Sequence, residues 1–310
     1  MIQLDPTINT ALIVGTVGEK PEDLLADYAG ISIRLLGVIF TPYVVGCKAT
    51  RIPVNIYLAE GSGLKFYVIE RHHSTTYPLY PHELHKEICA YMYALIKLLG
   101  VKFIISTSAV GGLNGNNFRA TFTKLSRGTL AVPGSFVDLA GVPITFATDD
   151  WNRNAEFKLH EGHQSVNDAV CPALLNMLEH SPVLTSRRSI VATTIGPHFE
   201  SKAEVDFYYR VVHADFLGMH TLIKEWKLVV QVPNVHFLPI VHVTNMPLED
   251  KDEETTGDHV EKAASNSNGM MLDQVFRVMR GINETPQLGC ICRGRGDIFD
   301  HLEPKHPVTS

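Results

Sequence analysis

Seven short apolar runs punctuate the chain: ALIVG (11–15), VNIYLA (54–59), LKFYVIE (64–70), KFIIST (102–107), GTLAVP (128–133), SIVATTI (189–195) and FLPIVHVTN (237–245). They are rich in β-branched and aromatic residues. Most end at Gly, Ser, Thr, Asn or a charge, which is the signature of strands leading into turns. Between them the apolar positions recur with helical spacing over 82–99, 168–179, 200–213 and 257–281. Strands alternating with helices predict an α/β fold with a largely parallel or mixed sheet. In such sheets ligands bind beyond the carboxyl ends of the strands, so candidate chemistry is sought at those exits.

Composition narrows the class. The chain has 310 residues, 45% hydrophobic and 19% charged, enough to bury a sizeable core. A net charge of −6 argues against a surface that coats nucleic acid. No apolar run approaches the roughly 18–20 residues that span a bilayer. MIQLDPTINT lacks the basic start and apolar core of a secretory signal. Five cysteines, an odd and low number, give no disulfide framework and fit a reducing, cytoplasmic setting. No internal repeat is visible.

Five exits carry candidate chemistry. After the first strand, GTVG places Thr16 between glycines, where backbone N–H groups and a hydroxyl suit a phosphate; a plain strand-ending turn has the same pattern. After LKFYVIE come Arg71, His72 and His73. Arginine offers a planar fork of donors to phosphate oxygens, and its charge argues against a metal there. The nearby HELH (82–85) lacks HExxH spacing and suits the first turn of a helix. STSAVGGLN (106–114) follows a third strand, and its two glycines either let backbone approach a ligand or serve a turn with positive φ. At TTIGPHFESKAE (193–204), Phe199 offers a ring face and Glu200 a carboxylate, a pair able to stack on a base and accept from its ring N–H. The helical spacing continues through 219, to Met219 and His220. Asn245 ends the last strand, able to read a purine edge or cap a turn. The acidic run LEDKDEETT (248–256) suits a solvated loop or lid, with His259 beyond it. Cys290-Ile291-Cys292 reads as two unpaired tail cysteines, with redox or metal chemistry as the alternative.

In this order the segments GTVG, RHHSTTYPLYPHE, TSAVGGLN, GPHFESKAE, GMHT and VTN resemble the trimeric purine nucleoside phosphorylase and methylthioadenosine phosphorylase family, across residues 15 to about 260. The resemblance implies a single α/β domain around a twisted, partly barrel-like mixed sheet flanked by helices, over residues 1–285, with 286–310 as a C-terminal tail and candidate mobile segment. It implies a homotrimer, with HQSVNDAVCP (163–172) similar to a stretch that lends side chains to a neighbouring subunit. The implied reaction is phosphorolysis of a purine nucleoside, with phosphate as co-substrate, no cofactor and no metal. By resemblance Thr16, Arg71, one of His72 and His73, Ser108, Ala109 and His220 hold phosphate. Met219 packs under the ribose and His259 meets its 5′-hydroxyl. Phe199 lies against the base, Glu200 contacts N1, and Asn245 bonds N7 as the bond breaks. Arg71, Glu200 and Asn245 are the expected catalytic residues. His220 departs from the pattern, standing where the family usually has a small hydroxyl residue.

Two branches remain. Glu200 with Thr244-Asn245 resembles the branch for 6-oxopurines such as inosine and guanosine, since the aminopurine branch carries a TD dipeptide there. IERHH and HQSVNDAVCP resemble the methylthioadenosine branch. The expectation is a purine nucleoside phosphorylase, with methylthioadenosine phosphorylase as the alternative. A nucleoside hydrolase and an inactive nucleoside-binding paralogue are the rivals from outside.

Overall fold

Each of the seven apolar runs contributes to a strand of one nine-stranded sheet, in the order β2-β3-β4-β1-β5-β8-β7-β6-β9, in the computed structural model of the chain. The structure describes residues 5–15, 21–26, 28, 30–41, 52–71, 84–114, 124–139, 144, 146, 165–166, 170–194, 198–219, 222–249, 257–285 and 287–294. The strands are β1 (Thr10–Val14), β2 (Ile31–Thr41), β3 (Ile52–Gly61), β4 (Leu64–Glu70), β5 (Phe103–Gly112), β6 (Leu130–Asp138), β7 (Leu184–Thr193), β8 (Phe216–Gly218) and β9 (His236–Asn245). Around them are α1 (Pro21–Ala26), α2 (Leu84–Tyr93), α3 (Pro172–Asn176), α4 (Lys202–Arg210), α5 (Leu222–Val229) and α6 (Gly257–Glu284). A π-helical turn, Ala94–Leu98, prolongs α2.

Because β9 also pairs with β5, the strands β5, β8, β7, β6 and β9 close on themselves, and β1, β4, β3 and β2 extend the sheet outward. The pairing is mixed. β1 runs parallel to β4 and β5, and β5 parallel to β9. β6 is antiparallel to β9, and β8 to β5. The partly closed mixed α/β sheet expected from the resemblance is thus present.

Strand side chains alternate between two apolar layers. On one face Ile13, Ile104 and Val241 pack with Tyr91 of α2 and Trp226 of α5. On the other, Leu12, Ile105 and Ile240 pack with Phe276 and Met279 of α6. Both faces are covered, which explains why β5 and β9 read as continuous apolar runs rather than alternating ones.

The elements not anticipated are α1, α5, β2 and β8. β2 is an edge strand with exposed Leu35, Val38 and Phe40, and its register breaks between Leu35 and Gly37. Its apolar face is therefore poorly marked in sequence. The continuous helical spacing expected from Ser201 through Met219 is corrected. α4 stops at Arg210, His213 takes a positive φ of 56°, and Phe216–Gly218 forms β8 between β5 and β7. Pairing on both sides outweighs local periodicity there. Between 168 and 179 the described helix covers only Pro172–Asn176.

The two tail cysteines are unpaired, as expected, with neither in a disulfide, but they are not isolated. Leu288 and Cys292 are buried, and the Asn234 N–H donates to the Cys292 carbonyl at 2.9 Å. The sulfurs of Cys290 and Cys292 meet those of Cys171 and the ring of His236. This meeting depends on chain segments far apart in sequence.

Candidate functional site

Arg71 follows β4 directly, and its N–H donates to the Val14 carbonyl at the end of β1. Its side chain turns inward and is 2% exposed. The Glu225 carboxylate of α5 takes two of its N–H groups, from Nε to Oε1 at 2.7 Å and from Nη2 to Oε2 at 2.8 Å. Nη1 donates to the Thr107 carbonyl at 2.6 Å, and Nη2 also meets the Ser106 hydroxyl. The Ser106 hydroxyl donates to Glu225 Oε2 at 2.5 Å, and the Tyr91 hydroxyl to Oε1. Burial works against the Arg71 charge, but the Glu225 carboxylate more than offsets it, so the guanidinium is held above its ordinary pKa. Burial and Glu225 push the Tyr91 hydroxyl well up, which keeps it a proton donor.

Gly15 explains how this cation reaches the sheet end. A Cβ on Gly15 would stand 1.9 Å from Arg71 Nη1, and the bidentate bond to Glu225 leaves the guanidinium no room to retreat. Gly15 therefore has its glycine for close approach. Thr16, His72, His73 and His220 lie outside the described residues. Ser108 is buried on β5, and Ala109 beside it is half-buried.

From Arg71 the chain of contacts leads across β5 to β8 and Glu200. β8 pairs with β5 through Leu217 opposite Gly111. Met219, 36% exposed, follows directly at the end of β8. The Thr194 N–H donates to the Gly218 carbonyl at 3.1 Å, and its hydroxyl to Glu200 Oε1 at 2.5 Å. Glu200 is thus held next to the Gly218–Met219 exit. Phe199, 38% exposed, precedes it in the loop leading to α4. A capping box starts that helix: the Ser201 hydroxyl accepts from the Glu204 N–H, and Glu204 reaches back to the Ser201 N–H.

Asn245 pairs with Gly111 at the far end of β9. Its Oδ1 accepts from the Thr244 hydroxyl at 3.3 Å. The Gly111-Gly112 pair settles an alternative left open by sequence. Neither takes a positive φ, and the close approach they serve is to side chains at and just after the end of β9 rather than to a ligand. A Cβ on Gly111 would lie 3.0 Å from Pro247 Cγ and 3.4 Å from Asn245 Nδ2, and one on Gly112 would lie 2.8 Å from Met246 Sδ. Next, Asn114 takes a φ of 52°, suited to asparagine, and donates to Glu249 at 2.9 Å. His259 falls in the first turn of α6.

The structure therefore gathers Arg71, Ser108, Ala109, Met219, Glu200, Phe199 and Asn245 around the ends of β4, β5, β7, β8 and β9. Sequence reasoning missed Glu225, Tyr91 and Ser106, which hold the arginine. Glu225 did leave a signal: it sits three residues after Leu222 and four before Val229, so a carboxylate occupies the buried stripe of an amphipathic helix.

Residues 65–277 match the family model described as the phosphorylase superfamily. The chain is 25% identical over 229 residues to the S-methyl-5′-thioadenosine phosphorylase of Saccharolobus solfataricus, covering 71% of this chain and 75% of that one. It is 24% identical over 244 residues to a probable S-methyl-5′-thioinosine phosphorylase of Methanosarcina acetivorans, covering 77% and 83% of the two chains. Among solved structures, a methylthioadenosine phosphorylase from an antarctic soil metagenomic library superposes with a TM-score of 0.65 at 24% identity, over 94% of this chain and 91% of that one, and so shares the fold.

Proposed function

The chain belongs to the phosphorylase superfamily, and from that premise we propose that it cleaves the N-ribosidic bond of a 6-oxopurine nucleoside such as inosine or guanosine with inorganic phosphate. Nucleoside phosphorylases are pentosyltransferases that use phosphate. The observation that carries the reading for this chain is the buried Arg71, fixed by Glu225 and seated against Gly15 beside Ser106–Ala109.

In this mechanism phosphate sits beside Gly15, within the field of Arg71 and near the backbone of Ser108 and Ala109. A phosphate oxygen attacks C1′ from the face opposite the purine. The C1′–O bond forms as the C1′–N9 bond breaks, and the electron pair leaves on the base. Phe199 covers the ring, Glu200 accepts from N1–H, and Asn245 bonds N7 as negative charge builds on the departing purine. Met219 packs under the ribose. The products are free base and ribose 1-phosphate. Glu200 beside Thr194, and Asn245 where an aminopurine reader would carry an acid, support a 6-oxo base.

A second reading has its own support. The relatives described above are named for 5′-methylthio nucleosides, one for S-methyl-5′-thioadenosine and one, as probable, for S-methyl-5′-thioinosine, which favours a 5′-methylthio substrate, such as S-methyl-5′-thioadenosine giving adenine and 5-methylthioribose 1-phosphate. One panel tests both: inosine, guanosine, adenosine, methylthioadenosine and methylthioinosine, each with and without phosphate, scored by release of free base. Phosphate-dependent release from inosine or guanosine ahead of the others is the expected result. Preference for methylthioadenosine selects the second reading, and release without phosphate points to a hydrolase. Glu200→Ala is expected to lower kcat/KM more with inosine than with methylthioadenosine; equal losses would remove Glu200 as the base reader.

A further inference from the structure

At the opposite ends of β5 and β9 from the nucleoside site, three cysteines and a histidine converge. The Sγ atoms of Cys171, Cys290 and Cys292 and a ring nitrogen of His236 all lie within 4.8 Å of one another. His236 Nδ1 is 3.4 Å from the Cys171 sulfur and 3.2 Å from the Cys290 sulfur. A tetrahedral zinc, with Zn–S of about 2.3 Å and Zn–N of about 2.0–2.1 Å, sets its sulfur-to-nitrogen edges at about 3.6 Å and its sulfur-to-sulfur edges at about 3.8 Å. The cluster already has nearly those dimensions. We propose that Cys171, His236, Cys290 and Cys292 form a structural zinc site that clamps the C-terminal segment to the sheet.

The ligand frame is set by backbone and ring contacts. The Cys171 N–H donates to the Phe237 carbonyl at 2.9 Å, and the His236 N–H to the Lys102 carbonyl at 2.7 Å. The His236 ring stacks on Phe103 of β5, with centroids 4.8 Å apart and planes 15° apart. Cys292 is held by the bond from the Asn234 N–H to its carbonyl at 2.9 Å. Cys171, His236 and Cys292 are buried, and Cys290 is half-buried.

Three thiolates and a neutral imidazole fill a tetrahedron and leave no position for substrate, which makes the site structural rather than catalytic. His236 and Asn245 stand at the two ends of β9, about 30 Å apart at the usual rise per residue, so the site is remote from the nucleoside chemistry. A disulfide would use two of the sulfurs and leave the third, and the imidazole aimed at the cluster, without a role. The site replaces the sequence-based expectation that the chain holds no metal.

The test uses the full chain, produced in zinc-containing medium and purified with reductant and without chelator. Mass-spectrometric metal analysis is expected to give one zinc per chain in the wild type and in Cys89→Ser, and none in Cys290→Ser or Cys292→Ser. Cobalt(II) added to the zinc-free chain is expected to give the intense visible bands of a tetrahedral thiolate complex. Chelation is expected to lower Tm and expose the segment after residue 285 to protease. Wild-type protein without zinc that forms no such cobalt complex would overturn the proposal even if the variants fail to fold. So would zinc retained in both cysteine variants, or two thiols per chain missing from titration until reductant is added, which would assign a disulfide. None of these measurements depends on which nucleoside is cleaved.

Discussion

Around Arg71, Glu225, Ser106 and the Thr107 carbonyl converge on one guanidinium and leave it 2% exposed, whereas across the mouth of the site Phe199 is 38% exposed and Met219 36%. In the half proposed to take phosphate, the guanidinium is desolvated, paired with Glu225 and surrounded by protein hydrogen bonds, with Tyr91 bracing Glu225. The base half sits on strand exits and a capped loop, with Glu200 tied to Thr194. Under the proposed function, a small rigid anion such as phosphate suits a half whose groups are fixed in place. Under the same proposal, a large flat purine suits the half where Phe199 presents an open ring.

The largest effect is expected where the difference is greatest. Arg71→Ala leaves the Glu225 carboxylate buried without its counter-charge, a loss of about 3–5 kcal/mol. Urea unfolding is expected to show that loss together with collapse of phosphate-dependent turnover. Adding Glu225→Ala is expected to cost much less than the sum of the two single changes; simple additivity would show that the pair is not the unit described here. Phe199→Ala provides the contrast. Lost stacking is expected to lower kcat/KM for the nucleoside by about 1–3 kcal/mol, with stability within about 0.5 kcal/mol of wild type. A large fall in the urea midpoint would make Phe199 a structural residue and erase the distinction.

A third measurement concerns the strand beneath the anion half. His242 of β9 pairs with Ala109 and is buried, and burial pushes its pKa down to about 4 from the ordinary 6.5. Between those values the unfolded chain binds the proton and the folded chain does not, so stability is present above pH 6.5 and falls as pH drops. At pH 5 the loss from this group is about 2 kcal/mol. His242→Leu is expected to flatten the dependence in denaturation followed from pH 7 to pH 5; an unchanged slope would clear His242 of the effect. Smallest is the cap: Ser201→Ala is expected to cost about 1 kcal/mol and to raise KM for the nucleoside while leaving KM for phosphate alone. Equal changes in both would mean that the two halves move as one.

Much of the fold was legible because strands such as β5 and β9 are buried on both faces, and such runs are visible without knowing their partners. β2 was not, since its residues, though mostly apolar, do not alternate cleanly between a buried and an exposed face, and its register breaks between Leu35 and Gly37. β8 was not, because Phe216–Gly218 takes its conformation from β5 and β7 on either side. In the site, Arg71, Phe199, Glu200 and Asn245 stood out as chemically equipped residues next to strand ends. Glu225, Tyr91 and Ser106 did not, because their importance lies in one shared partner, and that partner is 154 residues from Glu225 in sequence.

The sequence by itself determined the alternation of strands and helices, the strand exits and the segments by which the chain resembles its family. Those are local patterns, fixed by the period of apolar residues and by the turns that interrupt them. Only the tertiary structure decided that Glu225 neutralises Arg71, that Gly15, Gly111 and Gly112 serve close approach, and that Cys171 and His236 meet the two tail cysteines. Each of those depends on which strands lie side by side when the ring of β5, β8, β7, β6 and β9 closes. A desolvated charge or a set of converging sulfurs is a property of distance in space, and spacing along the chain does not encode it.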